Sequence, residues 1–149
     1  MKSIIVDSCI IVDVFLETAE RHSDARRLGS YFVDNNIVIK MPMHALFEHA
    51  CALRNKKEKG QFRLQHAITQ EKPLHVEFVA IDEKFFNDYY DPTLPYLRAG
   101  DFIFLAMAAK DGAILITEDD AMFNAAKKAR IEVFRLREFL EKYVGTPGS

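Results

Sequence analysis

Short apolar runs rich in β-branched residues alternate along the chain with longer stretches of helical periodicity. The apolar runs predict five strands, at residues 3–6, 37–41, 76–81, 113–117 and 131–134. The helical stretches fall at residues 10–17, 23–34, 43–57, 61–69, 83–90, 99–111, 121–129 and 136–143. This alternation is typical of an α/β fold in which helices cover both faces of a parallel sheet, giving three layers, α/β/α. The first and fourth strands are almost wholly apolar, as expected of central strands buried on both sides.

The length of 149 residues suits a single domain with one well-buried core. Residues 1–144 are predicted to form this domain, and residues 145–149 a flexible C-terminal tail. The longest apolar run, residues 102–109, is too short to cross a bilayer, which takes about 20 residues. The first residues contain no secretory cleavage site, so we expect a cytoplasmic protein. Cys9 and Cys51 lie in apolar segments and are interpreted as reduced core residues.

The charge balance argues against a broadly basic surface that binds nucleic acid. The net charge is −2 and the sequence pI about 6.2, whereas a domain pI above about 9 is usual for such a surface. One dense basic cluster begins at Arg54, and Arg98 stands apart from it. Candidate RNA contacts are therefore Arg54, Lys56, Lys57 and Arg98. For the cluster, the alternative is a solvated helix end whose cations suit the helix dipole. For Arg98, the alternative is an ion pair with Asp101.

Four acidic residues adjoin or interrupt apolar segments, where a carboxylate loses hydration. These residues are Asp7, Glu48, Asp101 and Asp119. Apart from Arg98, no Lys or Arg lies close to any of them in sequence. One such acid is ordinary, but four spread along the chain indicate a shared cation. Carboxylate oxygens are the ligands that Mg²⁺ and Mn²⁺ prefer.

Each acid also has a structural explanation. Asp7 and Asp119 both follow a predicted strand and precede a helix, so each is a candidate helix N-cap, with Asp120 an alternative cap. Thr117 is expected to orient Asp119 through a hydrogen bond. Asp101 lies in the first turn of its helix, where a negative charge suits the helix dipole.

Glu48 is the acid that is hardest to explain structurally. Its helix is predicted to be buried on nearly all sides, and a buried Glu is seldom unpaired. The alternative is an exposed or salt-bridged Glu. If the strand order is 3-2-1-4-5, Asp7 and Asp119 face each other across the topological switch point. The helices before strands 3 and 4 then bring Glu48 and Asp101 to its mouth. A divalent cation there would activate water and stabilise charge on a phosphodiester.

The sequence resembles the PIN-domain family of metal-dependent ribonucleases, especially the VapC-like toxins. The matching pieces are residues 4–8, Glu48, residues 100–103, residues 113–119 and the segment 125–133. The resemblance implies a five-stranded parallel sheet and a Mg²⁺/Mn²⁺ site formed by the four acids, with Ser8 and Thr117 in supporting positions. It also implies cleavage of single-stranded or looped RNA by a metal-activated water. Family toxins are usually homodimers that are neutralised by an antitoxin protein. Segments 54–70 and 89–98 show no family signature.

Two other functions compete with this one. The first is a catalytically idle PIN-like module that only binds RNA or protein. The second is a receiver domain, another doubly wound sheet, in which Asp82 would accept a phosphoryl group. A receiver needs an acidic pair at strand 1 and a Lys after strand 5, whereas this chain has the single Asp7 and Arg135.

Overall fold

The computed structural model describes residues 2–55 and 74–145, and these form a five-stranded parallel sheet flanked by helices. The strands are β1 (Ile4–Val6), β2 (Ile39–Pro42), β3 (Val76–Val79), β4 (Ile114–Ile116) and β5 (Val133–Phe134). They are arranged in the order β3-β2-β1-β4-β5, and every neighbouring pair is parallel. The predicted fold class and strand order are therefore confirmed.

Seven helices lie within the described residues, and each begins and ends within two residues of its predicted limits. They are α1 (Ser8–Phe15), α2 (His22–Asp34), α3 (His44–Asn55), α4 (Glu83–Tyr89), α5 (Ala99–Asp111), α6 (Asp120–Lys128) and α7 (Leu136–Tyr143). The helix predicted at residues 61–69 lies outside the described residues. None of the seven is long and apolar enough to span a membrane.

The helices divide into two layers. On one side α1 contacts α2 and α3, and α2 contacts α7. On the other side α5 contacts both α4 and α6. This division follows from right-handed crossovers, because the chain moves outward from β1 to β3 and then returns past β1 to β4 and β5. The reversal of direction places the topological switch point between β1 and β4.

Strands β1 and β4 form the centre of the core. All of their residues are buried, and Ile5 pairs with Leu115 in the middle of the ladder. The ladder continues to the first acid, because the Asp7 backbone N–H donates to the Ile116 carbonyl at 2.9 Å. Apolar side chains on both faces thus fix the register in which the two strands end side by side.

The receiver interpretation is wrong, because β3 lies at the edge of the sheet. In receiver domains the strand order is 2-1-3-4-5, which places the third strand beside the first. Asp82, which follows β3, caps helix α4 instead. Its Oδ1 accepts a hydrogen bond from the Phe85 backbone N–H at 2.8 Å.

Helix α3 is not buried on nearly all sides, and that prediction is wrong. Ala45 and His49 on one side of the helix are fully buried, whereas Phe47 is 74% exposed. Cys51 is also exposed and therefore is not a core residue. Cys9 is partly buried, and both cysteines are free thiols, as predicted.

Helix α7 closes the domain by packing aromatic side chains against α2. Phe139 is fully buried, and its ring meets those of Phe32 and Phe134 edge-on at centroid distances of 6.2 and 5.8 Å. After the helix, the Gly145 carbonyl accepts a hydrogen bond from Arg27 Nη2 at 2.8 Å. Of the predicted tail, residue 145 is therefore bonded to α2, and residues 146–149 lie outside the described part of the chain.

Replacing Phe139 by Ala should lower the free energy of unfolding by about 3–5 kcal/mol, because it leaves a cavity where three aromatic rings meet. Urea unfolding followed by circular dichroism measures the change. Phe86→Ala is the control, since Phe86 is 57% exposed and its truncation should cost far less. Equal losses for the two variants would show that α7 is not a closing element of the core.

Candidate functional site

Asp7 and Asp119 lie at the carboxyl ends of the two central strands. Asp7 occupies the N-cap position of α1, but its side chain makes no capping hydrogen bond. Asp119 does cap its helix, since its Oδ1 accepts a hydrogen bond from the Met122 backbone N–H at 2.7 Å. Asp120 is not the cap of α6; its Oδ1 pairs with Arg135 Nη2 at 2.6 Å.

Thr117 links the two aspartates. Its buried hydroxyl donates to Asp7 Oδ2 at 2.8 Å and accepts from the Asp119 backbone N–H at 3.0 Å. Because Thr117 follows β4 directly, the strand itself sets the position of this hydroxyl. Thr117 therefore orients Asp119 through the backbone, and it orients the Asp7 carboxylate directly.

The Asp7 carboxylate is buried and accepts a second hydrogen bond. Cys9 Sγ donates to Asp7 Oδ2 at 3.3 Å. Burial raises the pKa of Asp7 above its ordinary value, the hydrogen bonds from Thr117 and Cys9 oppose this change, and the charge of Asp119 adds to it. Burial and the nearby Asp7 charge raise the pKa of the Cys9 thiol, so Cys9 remains a neutral donor.

Glu48 reaches the same region from α3 and remains 41% exposed. Its Oε1 accepts a hydrogen bond from Ser8 Oγ at 3.0 Å and lies 3.2 Å from His44 Nε2. The contact with His44 is the largest influence that lowers the pKa of Glu48, burial opposes it, and Ser8 adds to the lowering. Glu48 is therefore held as a carboxylate, and Ser8 connects it to the residue that follows Asp7.

The contact of His44 with Glu48 is a feature that the sequence interpretation missed. The available signal was the i,i+4 spacing of the two residues, which brings side chains together on one face of a helix. His49, by contrast, is a core residue. Burial lowers its pKa to about 4, so its imidazole is neutral near pH 7.

The pKa of Asp101 is influenced by the charges of all three other acids. Asp101 lies in the first turn of α5, three residues after the N-cap residue Arg98. Burial raises its pKa most, followed by the negative charges of the three other acids, while the Arg98 guanidinium lowers it. The three contributing acids are Asp119, Asp7 and Glu48. Four side chains from distant parts of the sequence therefore repel one another at one edge of the sheet.

The spacing of these acids does not form a complete metal-binding shell. Across residues 2–55 and 74–145, no three His, Cys, Asp or Glu side chains are arranged so that they could hold a metal ion. The chemistry of the set nevertheless suits a hard divalent cation, because all four side chains offer carboxylate oxygens. The residues thus supply the donors and the excess negative charge of a cation site, but not its closed geometry.

Of the candidate RNA contacts, the structure brings Arg98 to this edge. Its side chain is exposed, and its charge acts on Asp101. Arg54 belongs to the last turn of α3, but its side chain lies outside the described part of the structure, as do Lys56 and Lys57.

Comparison with known proteins gives one family. The family model described as the PIN domain matches residues 4–128, whereas no curated protein matches the chain. A solved structure, a domain of a functionally unknown protein from Methanocaldococcus jannaschii DSM 2661, is similar with 17% identity over 91% of each chain and a TM-score of 0.48. The family match includes β1 to β4 and all four acids, and on this ground the chain belongs to the PIN-domain family.

Proposed function

We propose that the protein is an endoribonuclease that hydrolyses RNA phosphodiester bonds with a Mg²⁺- or Mn²⁺-activated water. PIN domains are generally nuclease domains and generally use such divalent metals. The observation that carries the proposal is the convergence of the acids at one edge of the sheet: Thr117 bonds both Asp7 and the Asp119 backbone. Burial first, and then the charges of the three other acids, raise the pKa of Asp101 there. A bound dication would relieve this repulsion, because it supplies the positive charge that the cluster lacks.

The proposed metal ligands are Asp7, Glu48, Asp101 and Asp119. When bound, the metal would generate a hydroxide nucleophile and stabilise charge on the phosphate. The protein's contribution is to hold the carboxylates in place. Thr117 fixes both aspartates at the strand ends, and Ser8 fixes Glu48 through the 3.0 Å hydrogen bond to Oε1.

The proposed RNA-binding residues are cations beside this acidic edge. Arg98 is exposed, and its guanidinium acts on Asp101 from the preceding turn. A phosphate approaching Asp101 would therefore meet a positive charge, which offsets its repulsion by the carboxylates. We include Arg54, Lys56 and Lys57 in the same proposal on the basis of their sequence cluster.

We further propose that the nuclease acts as a VapC-like toxin. This biological role rests on the resemblance described above, in particular on residues 4–8 and 113–119. It includes a cytoplasmic location, a homodimer and a cognate antitoxin protein that covers the acidic edge. A protein that binds tightly enough to protect RNA from cleavage, encoded beside this chain, would support the toxin role.

Asp7→Asn should reduce Mn²⁺-dependent RNA cleavage by more than about 100-fold, because loss of a group that merely orients a metal ligand already costs about 10–100-fold. Cleavage of a fluorescently labelled single-stranded RNA measures the effect. Asp34→Asn is the matched control, since Asp34 is exposed at the end of α2. It should cleave like the parent protein.

Preparations of the two variants and the parent must follow one protocol, so that contaminating ribonuclease contributes equally to all three. Equal cleavage by Asp7→Asn and the parent would remove Asp7 from the site. A parent protein that binds RNA but does not cut it with either Mg²⁺ or Mn²⁺ would favour the idle-module alternative.

Asp101→Asn should stabilise the metal-free protein near pH 7. Because the pKa of Asp101 is raised in the folded state, the folded protein retains a proton that the unfolded chain has lost at pH values between the ordinary and the raised pKa. The parent therefore loses stability as pH rises from the ordinary value of 3.8 through the raised pKa, and Asn removes this loss. In EDTA between pH 4 and pH 8, the melting temperature of Asp101→Asn should exceed that of the parent by a difference that grows with pH.

Mn²⁺ should narrow this gap, because a ligand that binds only the folded state stabilises it in proportion to its occupancy. Asp34→Asn again serves as the control and should follow the parent at each pH. A gap that is constant over the whole pH range would contradict the charge repulsion at Asp101, whatever the activity of the protein.

A further inference from the structure

We propose that His44 is a positioning residue that aims the Glu48 carboxylate at the bound metal. This inference rests on the proposed function and assigns a role to a side chain outside the set of four acids. Two polar groups approach the same oxygen of Glu48. Ser8 Oγ donates a hydrogen bond to Oε1 at 3.0 Å. His44 Nε2 lies 3.2 Å from the same oxygen, in an orientation that falls short of a hydrogen bond.

Glu48 needs such contacts more than the other three acids do. Asp7 is buried, and Asp101 and Asp119 are partly buried, whereas Glu48 is exposed. A Glu side chain also has one more rotatable bond than Asp and therefore more rotamers to lose. Without fixed partners, an exposed Glu on a helix would spend little time in the one orientation that serves a metal.

His44 is itself held in place between two helices. Its ring meets Phe104 of α5 edge-on, with a centroid distance of 5.5 Å. Its Nε2 also faces Gly100, where an added Cβ would lie 3.7 Å away. Gly100 lies in the first turn of α5, beside Asp101. The imidazole therefore connects Glu48 to the helix turn that carries another proposed ligand.

Ser8 provides the corresponding connection on the other side. It follows Asp7 in sequence and begins α1. Glu48 Oε1 thus contacts Ser8, the neighbour of Asp7, and His44, which packs beside Gly100 and Asp101. Both contacts are made by Oε1, so we assign Oε2 to the cation. Carboxylate ligands of metal sites are commonly fixed in this way by hydrogen bonds to their second oxygen.

Two substitutions of His44 distinguish the effect of its polar nitrogen from the effect of its aromatic ring. His44→Phe keeps an aromatic ring against Phe104 but removes the ring nitrogen that approaches Glu48 Oε1, so it should weaken Mn²⁺ binding about 10–100-fold. His44→Gln keeps an N–H donor at a similar reach and should bind Mn²⁺ within a few-fold of the parent. The measurement is titration of metal-free protein with Mn²⁺, with free ion followed by electron paramagnetic resonance, and it requires no RNA.

The exposed His75, which precedes β3, provides matched controls. His75→Phe and His75→Gln should both bind Mn²⁺ like the parent. The melting temperature of each metal-free variant tests the fold, and His44→Ala replaces His44→Phe if the larger ring lowers it.

Parent-like Mn²⁺ affinity in the variant without a donor would overturn the role of His44. Equal weakening by His44→Gln and His44→Phe would also overturn it, since a polar group that approaches Glu48 Oε1 should survive in Gln. Glu48→Gln distinguishes a failure of the proposed metal site from a failure of the proposed role of His44. If it fails to weaken Mn²⁺ binding, the proposed metal site is wrong; if it weakens binding and His44→Phe does not, only the His44 proposal fails.

Discussion

Mutual repulsion among four carboxylates is the constraint on which the candidate site depends. The sheet brings them together, because β1 and β4 are paired in register and end at the same edge. Burial then makes the repulsion strong, since little water remains to screen Asp7. The protein tolerates this arrangement through hydrogen bonds from Thr117, Cys9 and Ser8, which stabilise two of the carboxylates without neutralising the set.

For Asp119 the capping and functional explanations are compatible, whereas the Asp7 side chain does not cap its helix. Asp119 caps α6 with one oxygen and still acts on Asp101 through its charge. Asp7 occupies an N-cap position, but its carboxylate bonds to Thr117 and Cys9 instead of the helix backbone. A residue at the start of a helix after a parallel strand can therefore have both roles, because the strand end and the helix terminus coincide there.

The sequence predicted the parts of the fold that depend on local pattern. The all-apolar segments of β1 and β4 can be placed only at the centre of a parallel sheet, so the positions of Asp7 and Asp119 followed from them. The orientation of α3 did not follow, because Phe47 is apolar and yet 74% exposed. Apolar composition does not specify which side of a helix meets the core when the surface also contains apolar residues. The i,i+4 spacing of His44 and Glu48 indicated that the two side chains could meet. The sequence did not indicate that His44 also packs against Phe104, because Phe104 lies in α5, far along the chain.

The hydrogen bond between Thr117 and Asp7 joins residues that are 110 positions apart. During synthesis on the ribosome, Asp7 and Glu48 emerge early, whereas Asp101, Thr117 and Asp119 are added much later. A nascent chain therefore holds no more than half of the acidic cluster until residue 101 is added. For a protein that we propose to cut RNA, this late assembly would keep incomplete chains inert beside the message from which they are translated.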